Sequence, residues 1–294
     1  MLPPAAPPAA IPVCAFAKPP RPGRAKTRLA AAIGHEAACR LATAFISDFL
    51  TYARRHAWAA PVLATTEDGM LPDDFPREAF PEGVAPVAVP RWLQPPGDLG
   101  AKIEGIVRRA LVEEGHAAVI CCGADSPGRP AGRLAAARAA LLPTGGTGDA
   151  AADVVLGPTE DGGYDIIGLR VCPPGLFDGL PWSQPTTFEA SKRRFEERGL
   201  RVSVLDAWWD VDEASDLQRL QELLAGEGGA ERAPATAAVC AELKLGALLA
   251  DTASAVGRPG DVPENGRGRV TAVRLACGIL GCSELAGLKS RSRW

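Results

Sequence analysis

Between residues 17 and 34 the chain reads AKPPRPGRAKTRLAAAIG. It places Lys18, Arg21, Arg24, Lys26 and Arg28 around prolines that fix φ and around Gly23, which is free to adopt φ > 0. Such a loop, leaving a strand and entering a helix, offers donors to an anion, with Lys26, Thr27 and Arg28 nearest the helix start. The spacing is not G-x-x-x-x-G-K-[ST], so it is no Walker A loop, and a solvated basic loop is the plain alternative. A second stretch, CGADSPGRP, ends an apolar run on Asp125, with Ser126 and Pro127 turning the chain. A carboxylate there suits a hard divalent cation such as Mg²⁺ or Mn²⁺; the alternative is a turn former or helix N-cap. A third set joins LGPTEDGGYDIIGL to the later WWDVDEASDL. Asp161 stands beside Gly162 and Gly163, where a flat ring can approach the backbone, although two glycines there also suit a hairpin turn. Asp210 and Asp212 alternate, so in extended chain they share a face and one of them can complete a metal shell. Asp212 can instead cap the helix beginning at Glu213, with Asp216 closing a capping-box pattern.

The elements that must carry these residues alternate short apolar runs with longer helical patterns, as in a mostly parallel α/β sheet. Strands are expected at IPVCAFA (11–17), PVLATT, VAPVAV, AAVICCGAD (117–125), DVVLGPT, YDIIGLR and RVSVLD. Helices are expected from His35 to about 55, from Leu99 through Glu114, and over about 131–142, 186–198 and 212–225. Asp125 then falls beyond the carboxyl end of a strand, where open α/β sheets bind ligands. The organisation expected is a Pro/Ala-rich lead (1–10), a core domain (11–225) and, after the Gly/Ala/Pro-rich AGEGGAERAPATAA, a linker and weakly helical appendage (226–294).

Composition excludes several classes. The 294 residues are 47% hydrophobic with a formal charge of −3, so no global field attracts nucleic acid and the basic loop must act locally. Eight cysteines form no C-x-x-C pair, which fits reduced thiols and a cytoplasmic setting. Arg274 interrupts the apolar VTAVRLACGILGC, so no membrane span is expected. His35, His56 and His116 fall at helix ends and are read as surface or dipole-facing groups.

Taken together, KPPRPGRAKTRLAAAIG, QPPGDLGAKI, GADSP, LGPTEDGGYDIIGL, PWSQPTTFEASKRRF and DVDEASDL resemble, in order, the bacterial glycosyltransferase family named for arsenosugar biosynthesis. That family has the nucleotide-diphospho-sugar transferase (GT-A-like) fold and is also similar to phospholactate guanylyltransferases. The resemblance covers about residues 11–225. It implies a three-layer αβα sheet with a nucleotide pocket over its carboxyl edge, and a basic loop (Lys18, Gly23, Lys26, Thr27, Arg28) gripping phosphates. It further implies metal ligation by Asp125 and Asp212, a sugar or base loop at Asp161, Gly162, Gly163 and Tyr164, and a nucleotide element at Gly97, Asp98 and Gly100. Asp98 can alternatively cap the next helix. The catalytic set so implied is Asp125, Asp161, Lys26 and Arg28. Glu160, Asp161, Asp165 and Asp210 are candidate proton acceptors. The implied partners are a nucleotide or nucleotide sugar and a small acceptor. The implied reaction is metal-dependent sugar transfer from a nucleotide-diphospho-sugar, with nucleotidyl transfer releasing pyrophosphate, or nucleotide binding without catalysis, as alternatives. Two departures stand out: the run after DSP is Gly128, Arg129, Pro130, where the family usually has an apolar residue before or near the next helix, and Asp165 follows Tyr164 where a second aromatic or apolar residue is common.

Overall fold

A computed structural model describes residues 10–66, 89–143 and 150–246. Its elements alternate as the sequence patterns require. They are β1 (Ile11–Ala17), α1 (Thr27–Ile33), α2 (His35–Arg54), β2 (Ala59–Thr65), β3 (Arg91–Leu93), α3 (Leu99–Arg108), β4 (Val119–Gly123) and α4 (Arg133–Leu141). There follow β5 (Val154–Pro158), β6 (Tyr164–Leu169), α5 (Thr187–Glu197), β7 (Val202–Val204), α6 (Ala214–Ala225), α7 (Gly229–Arg232) and α8 (Pro234–Glu242). A single π-helical turn, Arg109–Glu113, extends α3. Of the expected strand VAPVAV, residues 84–88 lie outside the described residues; β3 begins just beyond it.

Among the described residues the strands form one sheet in the order β3-β2-β1-β4-β6-β5-β7. Every pairing is parallel except those of β6, which runs antiparallel to both β4 and β5. The reason is local: Asp161, Gly162 and Gly163 reverse the chain tightly, so β5 and β6 form a hairpin, whereas the other strands return through longer crossovers. Alternate residues of β1 divide between two apolar clusters. Val13 and Ala15 meet Phe49 of α2 and Leu134 of α4, while Cys14 and Phe16 meet Ile103 of α3 and Phe195 of α5. No helix among the described residues is long and apolar enough to cross a membrane.

The stretch expected as a linker behaves differently. The chain does leave α6 at Ala225, but residues 229–246 fold back onto the body. Ala235, Val239 and Leu245 join Leu41 and Phe45 of α2, Leu29 of α1 and Val211 in a third cluster. Its glycines and alanines suggest a linker, yet small side chains also permit close helix approach. Asp48, buried in α2, accepts hydrogen bonds from the first free amides of α8, Ala235 at 2.8 Å and Thr236 at 2.9 Å. A carboxylate that serves as a helix cap from a neighbouring helix ties the two together. Asp48→Ala should therefore lower the unfolding free energy by about 1–2 kcal/mol, read from the urea midpoint. An unchanged midpoint would mean that α8 is held by apolar packing alone.

Candidate functional site

Three chain segments meet above the carboxyl end of the sheet. The first leaves β1 through buried Pro19 and Pro20, turns at Gly23 (φ 76°) and reaches Lys26 at the start of α1. Lys26 has φ 45° and ψ 51°, a left-handed conformation that costs a residue bearing a Cβ about 1–2 kcal/mol. The surrounding contacts hold it there, and such strain concentrates at working sites. The second segment continues from β4 to Asp125. The third runs beside the end of β5, where Leu205 donates to the Leu156 carbonyl (2.8 Å) and Trp208 to that of Pro158 (2.9 Å). It then crosses β4, where the Val211 amide donates to the Asp125 carbonyl at 2.9 Å.

That last bond sets the geometry. The Val211 side chain is fully buried in the third cluster, so Asp210 and Asp212 on either side present their carboxylates together. Asp125, Asp210 and Asp212 each place an oxygen within 4.8 Å of the others. The Lys26 ammonium reaches Asp125 Oδ2 at 2.8 Å and Asp212 Oδ1 at 2.6 Å. The capping alternative for Asp212 is taken by its neighbours. Asp216 accepts from the amides of Asp212 (2.9 Å) and Glu213 (2.7 Å) in a capping box with Glu213, which frees the Asp212 carboxylate for the cluster.

The electrostatics follow from crowding. Burial opposes ionisation of Asp125, but the Lys26 ammonium outweighs it and holds the carboxyl below its usual range, with help from Arg129. Burial likewise opposes charge on Lys26, and its two carboxylates more than offset that, raising its pKa. Asp210 receives the residual repulsion: burial first, then the carboxylates of Asp125, Asp212 and Asp161, push it up to about 7. One ammonium for three carboxylates leaves room for further positive charge. Oxygen donors of this kind fit a hard divalent cation, and the Lys26 ammonium marks where positive charge is stabilised. Asp210 belongs to the same group as Asp212, a partnership written in their D-x-D alternation.

The other expected site residues are placed as follows. Arg28 pairs with Glu213 at 2.9 Å across to α6, both groups about half exposed. Lys18 lies close enough to Lys102 of α3 for burial and that second cation to lower its pKa. Lys102, which the sequence reading did not single out, thus adds positive charge near the end of β1. The Gly97, Asp98 and Gly100 element has local tasks. Asp98 caps α3 by accepting from Ala101 N at 2.9 Å, and a Cβ on Gly100 would come within 2.9 Å of the Phe177 carbonyl. In the hairpin turn Asp161 Oδ1 accepts from Thr159 Oγ1 (2.6 Å) and Gly163 N (3.0 Å). Gly162, at φ 86°, lies so near Pro185 that a Cβ would sit 1.9 Å from its carbonyl oxygen. Thr27 is exposed at the start of α1.

Two expectations require correction. Tyr164, assigned to the sugar or base loop, is 5% exposed and packs its ring edge-on to Trp182, because the β6 register turns it into the core. Asp165, a candidate proton acceptor beside that loop, is 3% exposed and clamped by two arginines, Arg129 at 2.8 Å and Arg133 at 2.7 Å. Among the remaining acceptor candidates, Glu160 makes a two-pronged pair with Arg219 at 2.6 and 2.8 Å.

Comparison with known proteins bears on this geometry. Residues 50–184 match a family described as "Uncharacterized protein conserved in bacteria (DUF2064)". That span includes Asp125 and the 161–164 turn but neither Lys26 nor Asp210 and Asp212. No protein of curated function matches the sequence. A Desulfovibrio desulfuricans G20 protein described as a "putative nucleotide-diphospho-sugar transferase" is similar in structure, with 27% identity and a TM-score of 0.69. The likeness covers 83% of this chain and 98% of that one. Looser likenesses are found to a CMP:2-keto-3-deoxy-manno-octonic acid synthetase bound to CTP (14% identity, TM-score 0.46, 74% of this chain and 99% of that one). A cytidylyltransferase from Leptospira borgpetersenii serovar Hardjo-bovis stands at 12% identity and TM-score 0.44, over 74% of this chain and 87% of that one.

The raised Asp210 group links site and stability. A carboxyl whose folded pKa is near 7 and unfolded pKa near 4 contributes stability that is full below about pH 4 and lost as pH rises through 7. In metal-free protein, Asp210→Asn should remove that decline, so the variant gains on the parent between pH 4 and 8 by at most about 4 kcal/mol. Urea titrations at the two pH values check this; parallel losses in both proteins would show that Asp210 ionises normally.

Proposed function

We propose that this chain is a metal-dependent transferase that moves a sugar from a nucleotide-diphospho-sugar to a small acceptor. The observation that carries the proposal is the convergence of Asp125, Asp210 and Asp212 on one another, with the Lys26 ammonium bridging Asp125 and Asp212. The likeness to the D. desulfuricans protein supports a nucleotide-sugar donor. The resemblance of the motifs to the glycosyltransferase family named for arsenosugar biosynthesis favours sugar over nucleotidyl transfer.

In this reading Asp125 and Asp212 hold Mg²⁺ or Mn²⁺, which when bound neutralises charge growing on the departing diphosphate. Lys26, on the same carboxylates, is the cation best placed to turn to phosphate oxygens, with Arg28 and Lys18 on the same basic loop. Asp210, the third carboxylate of the cluster, accepts the proton of an acceptor hydroxyl. The turn at Asp161, Gly162 and Gly163 lies at the same edge, and a sugar or base would meet it on the exposed side of Asp161, because Pro185 fills the space beside Gly162.

The experiment is a panel of nucleotide sugars with Mn²⁺ or Mg²⁺, read by thermal shift and by release of nucleoside diphosphate. Turnover should require the metal, and Asp125→Asn should lower it on the order of 10²-fold or more, the scale of losing one electrostatic group at the transition state. Robust pyrophosphate release from a nucleoside triphosphate would assign nucleotidyl transfer instead. Binding without turnover across the panel would make the chain a nucleotide-binding protein.

A further inference from the structure

The two departures from the family pattern meet, because Arg129 of the Gly128-Arg129-Pro130 run pairs with Asp165. Asp165 Oδ2 accepts from Arg129 Nε at 2.8 Å, and its Oδ1 accepts from Arg133 Nη2 at 2.7 Å. All three residues are buried, at 3%, 4% and 6% exposure for Asp165, Arg129 and Arg133. Burying three charges carries a desolvation cost that a satisfied network only partly returns, so such a group is weak evidence of stability and calls for another reason. The remaining donors supply one. Arg129 Nη2 donates at 2.5 Å to the Gly123 carbonyl, two residues before Asp125. Arg133 Nη1 donates to the Asp206 carbonyl, four residues before Asp210. The two guanidinium groups, joined through one carboxylate, therefore grip both chain segments that deliver the clustered carboxylates. The surroundings are shaped to fit: a Cβ on Gly157 would lie 2.8 Å from Arg133 Nη2 and 3.0 Å from Asp165 Oδ1, so β5 carries a glycine there. Arg129 also stacks over the Phe49 ring at 5.3 Å.

We infer that the buried Arg129–Asp165–Arg133 triad is a positioning unit, which docks the 206–212 segment over the end of β4 and so brings Asp210 and Asp212 to Asp125. The inference builds on the proposed carboxylate site, but its signature lies in the backbone. The Val211 amide bond to the Asp125 carbonyl joins the two segments, and its protection from hydrogen exchange reports their docking directly. Arginine is required for the double grip, because a lysine ammonium lacks the planar fork that reaches a carboxylate and a carbonyl together.

The test is native-state hydrogen exchange by NMR on the full chain, in the absence of metal, for Arg133→Lys and for an apolar replacement of the whole triad, Arg129→Met/Asp165→Leu/Arg133→Met. The apolar triad leaves no charge unpaired, so it preserves a folded protein even where the lysine variant does not. Exchange at Val211 should accelerate about tenfold or more relative to the amides of β1. Val211 and β1 changing in parallel, or Val211 keeping its protection in the apolar triad, would overturn the inference. Mn²⁺ binding by the unaltered protein separates the two readings. Selective loss of Val211 protection in the variants, with no Mn²⁺ bound by the parent, would sink the metal reading and leave the positioning role standing.

Discussion

Three carboxylates within 4.8 Å of one another repel, and the architecture of this protein is organised around making that arrangement tolerable. The direct compensation is one ammonium. Lys26 bridges Asp125 and Asp212 at hydrogen-bond distance from a left-handed backbone position. In a partly desolvated cleft such contacts are strong, because fewer waters screen them. The same desolvation leaves the third carboxyl, Asp210, without a cation of its own, and its raised pKa is the consequence.

Topology then determines which residues can take part. The carboxyl ends of β1 and β4 lie side by side in register, Phe16 opposite Gly123, so the loops after them emerge together. The third segment reaches the same place by extending along β5 and bonding to β4 through Val211. Because β5 runs in the same direction as β1 and β4, the turn that follows it emerges at the same edge, near enough for the Asp161 carboxylate to act on Asp210. The Gly162 approach to Pro185 locks the turn beneath the loop entering α5.

Much of this was legible in the sequence, and the parts that were not share a physical cause. Apolar runs and their periodicity located β1, α2, β4 and α6 closely, and the position of Asp125 past a strand followed from them. The alternation in Asp210-Val211-Asp212 predicted a shared face, and buried Val211 is the reason they present it. What sequence could not reveal was pairing at a distance. Lys26 reads as a phosphate donor because its partners lie 99 and 186 residues away. Asp165 reads as a candidate proton acceptor because Arg129, one of the two arginines that pair with it, lies 36 residues earlier. Tyr164 reads as a continuation of the loop beside Gly163, whereas it begins β6 and its ring packs in the core. The helices beyond α6 were obscured because glycine and alanine serve linkers and close-packed helices equally well.

The charges around the site, taken together, explain why Asp210 in particular resists ionisation. Lys26, Arg129 and Arg133 supply three positive groups; Asp125, Asp212 and Asp165 supply three negative ones, all joined by ion pairs or hydrogen bonds. Asp210 has no cation paired to it, and burial together with the carboxylates of Asp125, Asp212 and Asp161 raises its pKa to about 7. Asp125 is spared that fate because Arg129 adds to the pull of Lys26 on its carboxylate. A divalent cation would add two positive charges to this cluster, so charge balance would take both the loss of the Asp210 proton and the outward movement of the Lys26 ammonium, each of which offsets one. Neither change touches the Arg129–Asp165–Arg133 triad, whose ion pairs are made among its own members.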